Sequence, residues 1–188
     1  MSLKYLHINE KHHKKQLIIS HQQVAILKNF LMELVNDEVL VINTNLGIEI
    51  YYESTYDCTQ MIKDTFAIVA CKNCKTEDKY RFFAFQNERE IQRFMDASMQ
   101  KLAKMPLFSS YTKSMLGQLG TQFETNKKLI GRLLEIWHEF SKDRQLKETN
   151  LQRIQDFRND LQTIYIENVE NDVLKELIIE VLDKKHVN

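Results

Sequence analysis

A single proline and four glycines among 188 residues are too few for a collagen-like or low-complexity chain. The glycines, Gly47, Gly117, Gly120 and Gly131, are scattered. No glycine-rich phosphate loop exists, and nucleoside-triphosphate chemistry by that route is excluded. The absence of any G-x-S-x-G removes the serine nucleophile elbow. His138 and Glu139 follow the sole tryptophan, Trp137, but no second histidine stands where a zinc-protease helix requires one.

An excess of one charge is also missing. Lysine plus arginine total 26 and aspartate plus glutamate total 26, and up to Pro106 the counts are 14 basic and 13 acidic. This balance excludes a generic nucleic-acid or membrane footprint. The longest apolar stretches, residues 39–42 and 66–71, fall far short of a membrane span, and the first 25 residues hold no run suited to a signal peptide. Three cysteines do not make a disulfide framework in a chain long enough to bury about 70% of its unfolded surface unaided. A cytoplasmic protein without a membrane partner is expected.

What is present is a pattern of amphipathic elements. Ser20 with Gln23 forms a capping box ahead of Val24, Leu27, Leu31 and Leu34, which predicts a helix over 21–36. Residues 39–43 and 46–53 read as a β-hairpin turning at Asn45 and Gly47. In the second of these strands Glu49 and Glu53 oppose Ile48, Ile50 and Tyr52, which predicts one wet face and an edge position beside the first. Residues 65–72 and 79–86 read as a second hairpin, apolar on both faces. Asn87 with Glu90 opens a helix that runs to about Lys104 before Pro106.

From Ser109 the pattern is helical. One helix is expected over 110–119 with Gly120 as its stop, and Thr121 with Glu124 caps the next, which carries Leu129, Leu133, Ile136, Trp137 and Phe140. A third begins at Thr149, and a last runs from about Asp172 with Leu174, Leu177, Ile178 and Val181. The fold expected is α+β: a small antiparallel sheet of about four strands flanked by helices, followed by a C-terminal segment of three to four helices. The division expected is a basic arm over 1–19 with room for a short strand, an α+β domain over 20–106 and a helical part over 107–188. The order of helix, hairpin and crossover is similar, in topology alone, to profilin-like and roadblock-like modules, whose fifth strand has no counterpart in this pattern.

Few residues carry chemistry. Cys71 and Cys74 form a C-x-x-C, and with Cys58 they are the candidate metal ligands, zinc being the one cofactor this spacing suggests. The second C-x-x-C that would complete a zinc site is absent, so free thiols are the favoured reading. Glu77, Asp78 and Lys79, with Glu49, Glu53, Asp57 and Asp64, could build a metal-dependent nuclease centre, against the blander reading of solvating surface groups. Arg144, Lys147, Arg153 and Arg158 are the candidate nucleic-acid contacts, although Asp143, Glu148, Asp156 and Asp160 are interleaved with them. The basic arm, Lys11, His12, His13, Lys14 and Lys15, is a candidate partner contact.

Core-building residues are plentiful and clustered catalytic groups are not. The expected function is therefore a noncatalytic protein-interaction or regulatory module that binds a protein partner or a second copy of itself. Two alternatives are a nucleic-acid-binding regulator using the C-terminal helices and a metal-dependent enzyme such as a nuclease.

Overall fold

The computed structural model describes residues 1–11, 17–70, 79–138, 147–169 and 175–176. Four strands, β1 (Ser2–Glu10), β2 (Val39–Thr44), β3 (Gly47–Ser54) and β4 (Tyr80–Phe85), form one sheet in the order β2-β3-β1-β4. Every neighbouring pair is antiparallel. The helices are α1 (His21–Val35), α2 (Thr59–Ala70), α3 (Glu88–Ala103), α4 (Phe108–Gln122), α5 (Lys127–His138) and α6 (Glu148–Glu167), with a 3-10 turn at Phe123–Thr125. An antiparallel α+β sheet with a helical C-terminal part is the architecture the sequence pattern predicts.

The alternation of β-strand side chains sorts the core into two layers. Leu6, Ile8, Val39, Val41, Ile48, Ile50 and Tyr52 face α1 and α2, where Leu27, Leu31, Ile62 and Phe66 meet them. Leu3, Tyr5, Leu40, Ile42 and Tyr51 face the other way, into a layer built from α3 to α6 around Met95, Met115, Leu133, Trp137 and Phe157. The C-terminal helices therefore pack on the sheet in a core continuous with it. Two of the capping signals act as the sequence predicts, whereas Thr121 lies inside α4 and α6 starts after Lys147 with no side-chain cap. Ser20 Oγ accepts from Gln23 N–H while Gln23 Oε1 accepts from Ser20 N–H, and Asn87 Oδ1 accepts from Glu90 N–H.

Four expectations are corrected. Residues 65–70 are not a strand but the second half of α2. The apolar run there is short enough to read either way, and Ile62, Thr65, Phe66 and Val69 recur at helical spacing once Met61 and Ile62 are included. Asp57, exposed just ahead of the helix, accepts from Thr59 N–H at 2.9 Å and starts it. Next, the N-terminal segment holds more than a short strand in an arm, because residues 2–10 form an interior strand paired with both β3 and β4. That insertion moves β3 from the edge to the interior. Its glutamates are accordingly buried, Glu49 at 3% and Glu53 at 6% exposure, so the predicted wet face does not exist. Finally, Gly120 does not stop its helix, and α4 continues to Gln122.

The reason for that continuation lies at the sheet's edge. Gln118 Oε1 accepts from Asn43 N–H, Gln118 Nε2 donates to Asn43 O, and Gln122 Nε2 donates to Val41 O, each at 2.8 Å. Two glutamines one turn apart thus satisfy the outward backbone groups of β2 that a fifth strand would otherwise take. The turn between β2 and β3 depends on Gly47, whose φ of +140° is open only to glycine and whose Cα lies against Ile8.

Candidate functional site

A cluster of buried polar side chains sits between the sheet and α3 and α4. Strand alternation brings Tyr5 and His7 of β1 and Glu49 and Tyr51 of β3 to one face. Tyr111 enters from α4. The Tyr51 hydroxyl donates to Glu49 Oε2 at 2.5 Å and the Tyr111 hydroxyl donates to Glu49 Oε1 at 2.8 Å. The Tyr5 ring stacks on Tyr51 at 4.7 Å, and its hydroxyl lies 3.2 Å from His7 Nδ1.

Burial governs the protonation of this cluster. It pushes the Glu49 carboxyl above the usual range, opposed by the hydrogen bonds from the tyrosines. It also raises Tyr51, Tyr111 and Tyr5 well above their ordinary values, with the nearby Glu49 carboxylate adding to the effect. His7 is pulled down to about 4 by burial. All of these hydroxyls and the imidazole are therefore neutral at pH 7.

A chamber of about 330 Å³ opens against this cluster. Besides Tyr5, His7, Glu49 and Tyr111, its wall takes Phe94, Met95, Ser98 and Met99 from α3 and Trp137 from α5. Trp137 donates from Nε1 to the Met95 sulfur at 3.1 Å, which fixes the indole. Lys101 lines the chamber as well, with its side chain exposed.

A second feature lies on the opposite side of the sheet. Ile26, Phe30 and Leu34, spaced four residues apart on α1, are 41%, 50% and 44% exposed, and Met61 and Ile68 on α2 are 43% and 78% exposed. Between the two helices is a recess of about 300 Å³ lined by Phe30, Leu34, Thr65, Ile68 and Val69, with Glu33 as the one charged residue among the described residues.

The residues singled out from the sequence are dispersed. Cys58 is buried with its sulfur near Ser54 Oγ and Tyr56 O, while Cys71 and Cys74 lie outside the described residues. Among the described residues no three His, Cys, Asp or Glu side chains gather as a metal set. Glu49 is held by tyrosines. Glu53 pairs with Lys128 and with Arg132, Asp64 accepts from Gln60, and Lys79 pairs with Glu10 at 3.6 Å. Glu77 and Asp78 lie outside the described residues.

Of the basic candidates, Arg153 donates to Ala103 O and Met105 O and lies over the Phe108 ring, clamping the loop after α3. Arg158 is half-buried and donates to Gln155 Oε1. Lys147 is exposed at the start of α6, and Arg144 lies outside the described residues. Lys11 is exposed, its backbone N–H donating to Lys79 O, and His12, His13, Lys14 and Lys15 lie outside the described residues.

The sequence reading missed the Tyr5–Glu49–Tyr51–Tyr111 cluster. A signal existed: Tyr51, a large aromatic, stands between Glu49 and Glu53 on the face assigned to water. No helix among the described residues is long and apolar enough to cross a membrane. Comparison with known proteins finds no matching family model, curated protein or solved structure.

Proposed function

We propose that this protein is a noncatalytic interaction module that self-associates through the outer face of α1 and α2. The observation that supports this reading is the paired apolar stripe. Isolated apolar side chains are ordinary on a surface, whereas Phe30, Leu34 and Ile68 meet around one recess between two adjacent helices that also expose Ile26 and Met61, a concentration of the kind that marks an interface. The face also combines a knob with a hole: Ile68 protrudes beside the recess between Phe30 and Leu34. A two-fold axis at such a place seats each copy's knob in the other's hole, which is the self-complementarity an isologous dimer needs. With Glu33 the only charge lining the recess among the described residues, little desolvation of charge opposes the contact. The patch supplies the apolar centre of an interface of about 800 Å² per partner.

Residues 65–70, expected from sequence to be a strand, form the second half of α2. That half of the helix contributes Ile68 to the face proposed here. Sedimentation velocity at tens of micromolar should show a species of twice the 22.4 kDa chain mass. Ile68→Asp should convert it to monomer without loss of helical signal. A monomer in the wild type at that concentration, or a dimer insensitive to Ile68→Asp and Phe30→Asp, would overturn the reading. Tight duplex DNA binding in the same samples would favour the regulator alternative.

A further inference from the structure

We propose that the chamber between the sheet, α3 and α4 binds a small organic cation, a primary ammonium on an apolar or aromatic body, with Glu49 as its anchor. The argument starts from charge. Glu49 lies at the inner wall, 3% exposed, and its partners are neutral hydroxyls. Among the described residues no cation pairs with it. Lys101, the only cation lining the chamber among the described residues, keeps its side chain exposed. A buried carboxylate beside an open volume is short of one positive charge, and a ligand can supply it.

The rest of the wall narrows the chemistry. Asn9 contributes a side-chain oxygen that is buried and has no hydrogen-bond partner, so the wall holds an acceptor in want of a donor in addition to the Glu49 carboxylate. An ammonium carries three N–H donors and no acceptor. The aromatic side chains of Tyr5, Phe94 and Trp137 line the wall, and Met95 and Met99 adapt to an apolar body. Carboxylates and phosphates are disfavoured by Glu49 itself. A volume of about 330 Å³ is at the small end of ligand pockets and suits an arylalkylamine of roughly ten non-hydrogen atoms.

The molecule carries its own probe, because its one tryptophan lines the chamber. Titration of the full chain with phenethylammonium should change Trp137 fluorescence saturably. The isosteric 2-phenylethanol should bind about tenfold more weakly or worse, and phenylacetate weakest of all. Glu49→Gln should bring the amine-to-alcohol ratio close to one. Ser98→Phe, which fills the chamber from α3 without touching Glu49, should abolish amine binding while circular dichroism stays unchanged. If Glu49→Gln fails to fold, the wild-type ratio and Ser98→Phe decide the matter. Equal binding of amine and alcohol to the wild type would show a merely structural Glu49 and overturn the proposal. So would the lack of a saturable response to phenethylammonium and butylammonium up to about 10 mM, or amine binding indifferent to Ser98→Phe.

Discussion

Acidification should expose the cost of keeping His7 neutral. Its imidazole packs against Tyr5, Phe94 and Phe83 at ring-centroid distances of 6.0 to 6.3 Å, and burial pulls its pKa to about 4 from an unfolded value of 6.5. Above pH 6.5 the ring is neutral in both states and nothing is lost. Below it the unfolded chain takes up a proton that the folded chain refuses until about pH 4, so stability falls through that window. The slope is at most about 1.4 kcal/mol per pH unit, and about 2.5 kcal/mol is gone by pH 4.5.

The assay is urea unfolding of the wild type and of His7→Gln at pH 7, 5.5 and 4.5. At pH 7 the variant should be the less stable, because it loses the ring contacts. That deficit should shrink by about 2 kcal/mol by pH 4.5, since the variant has no imidazole to protonate. Taking the difference removes the other histidines and the carboxylates, which both proteins share. Parallel stability profiles for the two proteins would refute the reasoning, because they would mean that His7 titrates alike in the folded and unfolded chains.

Gly47→Ala should cost more than about 3 kcal/mol or prevent folding, because its φ is +140° and the new Cβ would lie 2.3 Å from the Ile8 carbonyl oxygen; thermal melting is the check. Gln118→Ala should cost about 1 to 3 kcal/mol in urea unfolding, as it strips both hydrogen bonds from the outward Asn43 backbone. Tyr111→Phe removes one donor from Glu49 and raises that carboxyl's pKa further. A raised folded pKa means stability that is present in acid and lost as pH climbs through it. The variant's deficit, about 1 to 3 kcal/mol at pH 7, should therefore narrow in acid when unfolding is followed across pH.

Local signals were the readable part of the sequence. Capping at Ser20 and Asn87, the hairpin turn at Gly47 and the strands at 39–44, 47–54 and 80–85 each follow from neighbours a few residues apart. Long-range pairing was not readable. Nothing in residues 2–10 says that they insert between β3 and β4, yet that one placement decides that Glu49 and Glu53 are buried rather than wet. The segment 65–70 failed for a different reason: β-branched and aromatic residues fit either period when the run is short, and tertiary burial of Ile62 and Phe66 settles it. The chamber was illegible because its polar members come from residues 5 to 111, and proximity across that distance leaves no periodic trace.

The buried polar residues of β3 also explain why the sheet has one register. Sliding β3 by a single residue would turn Glu49 and Glu53 toward Leu27, Leu31 and Phe66, where no donor or cation is at hand, and would push Ile48 and Ile50 against the tyrosine hydroxyls and Arg132. Each misplaced carboxylate would cost several kcal/mol, more than any apolar mismatch along the strand. In place, Glu53 is paired with Lys128 and Arg132 of α5, and Arg132 also reaches Glu88 at the start of α3. The same strand thus fastens α5 through one glutamate and α4 through the other, by way of Tyr111. Glu53 has its full cationic complement and reads as structural. Glu49, on the same face four residues earlier, has no cationic partner among the described residues, and that difference between two glutamates of one strand separates a fastening from the binding site proposed above.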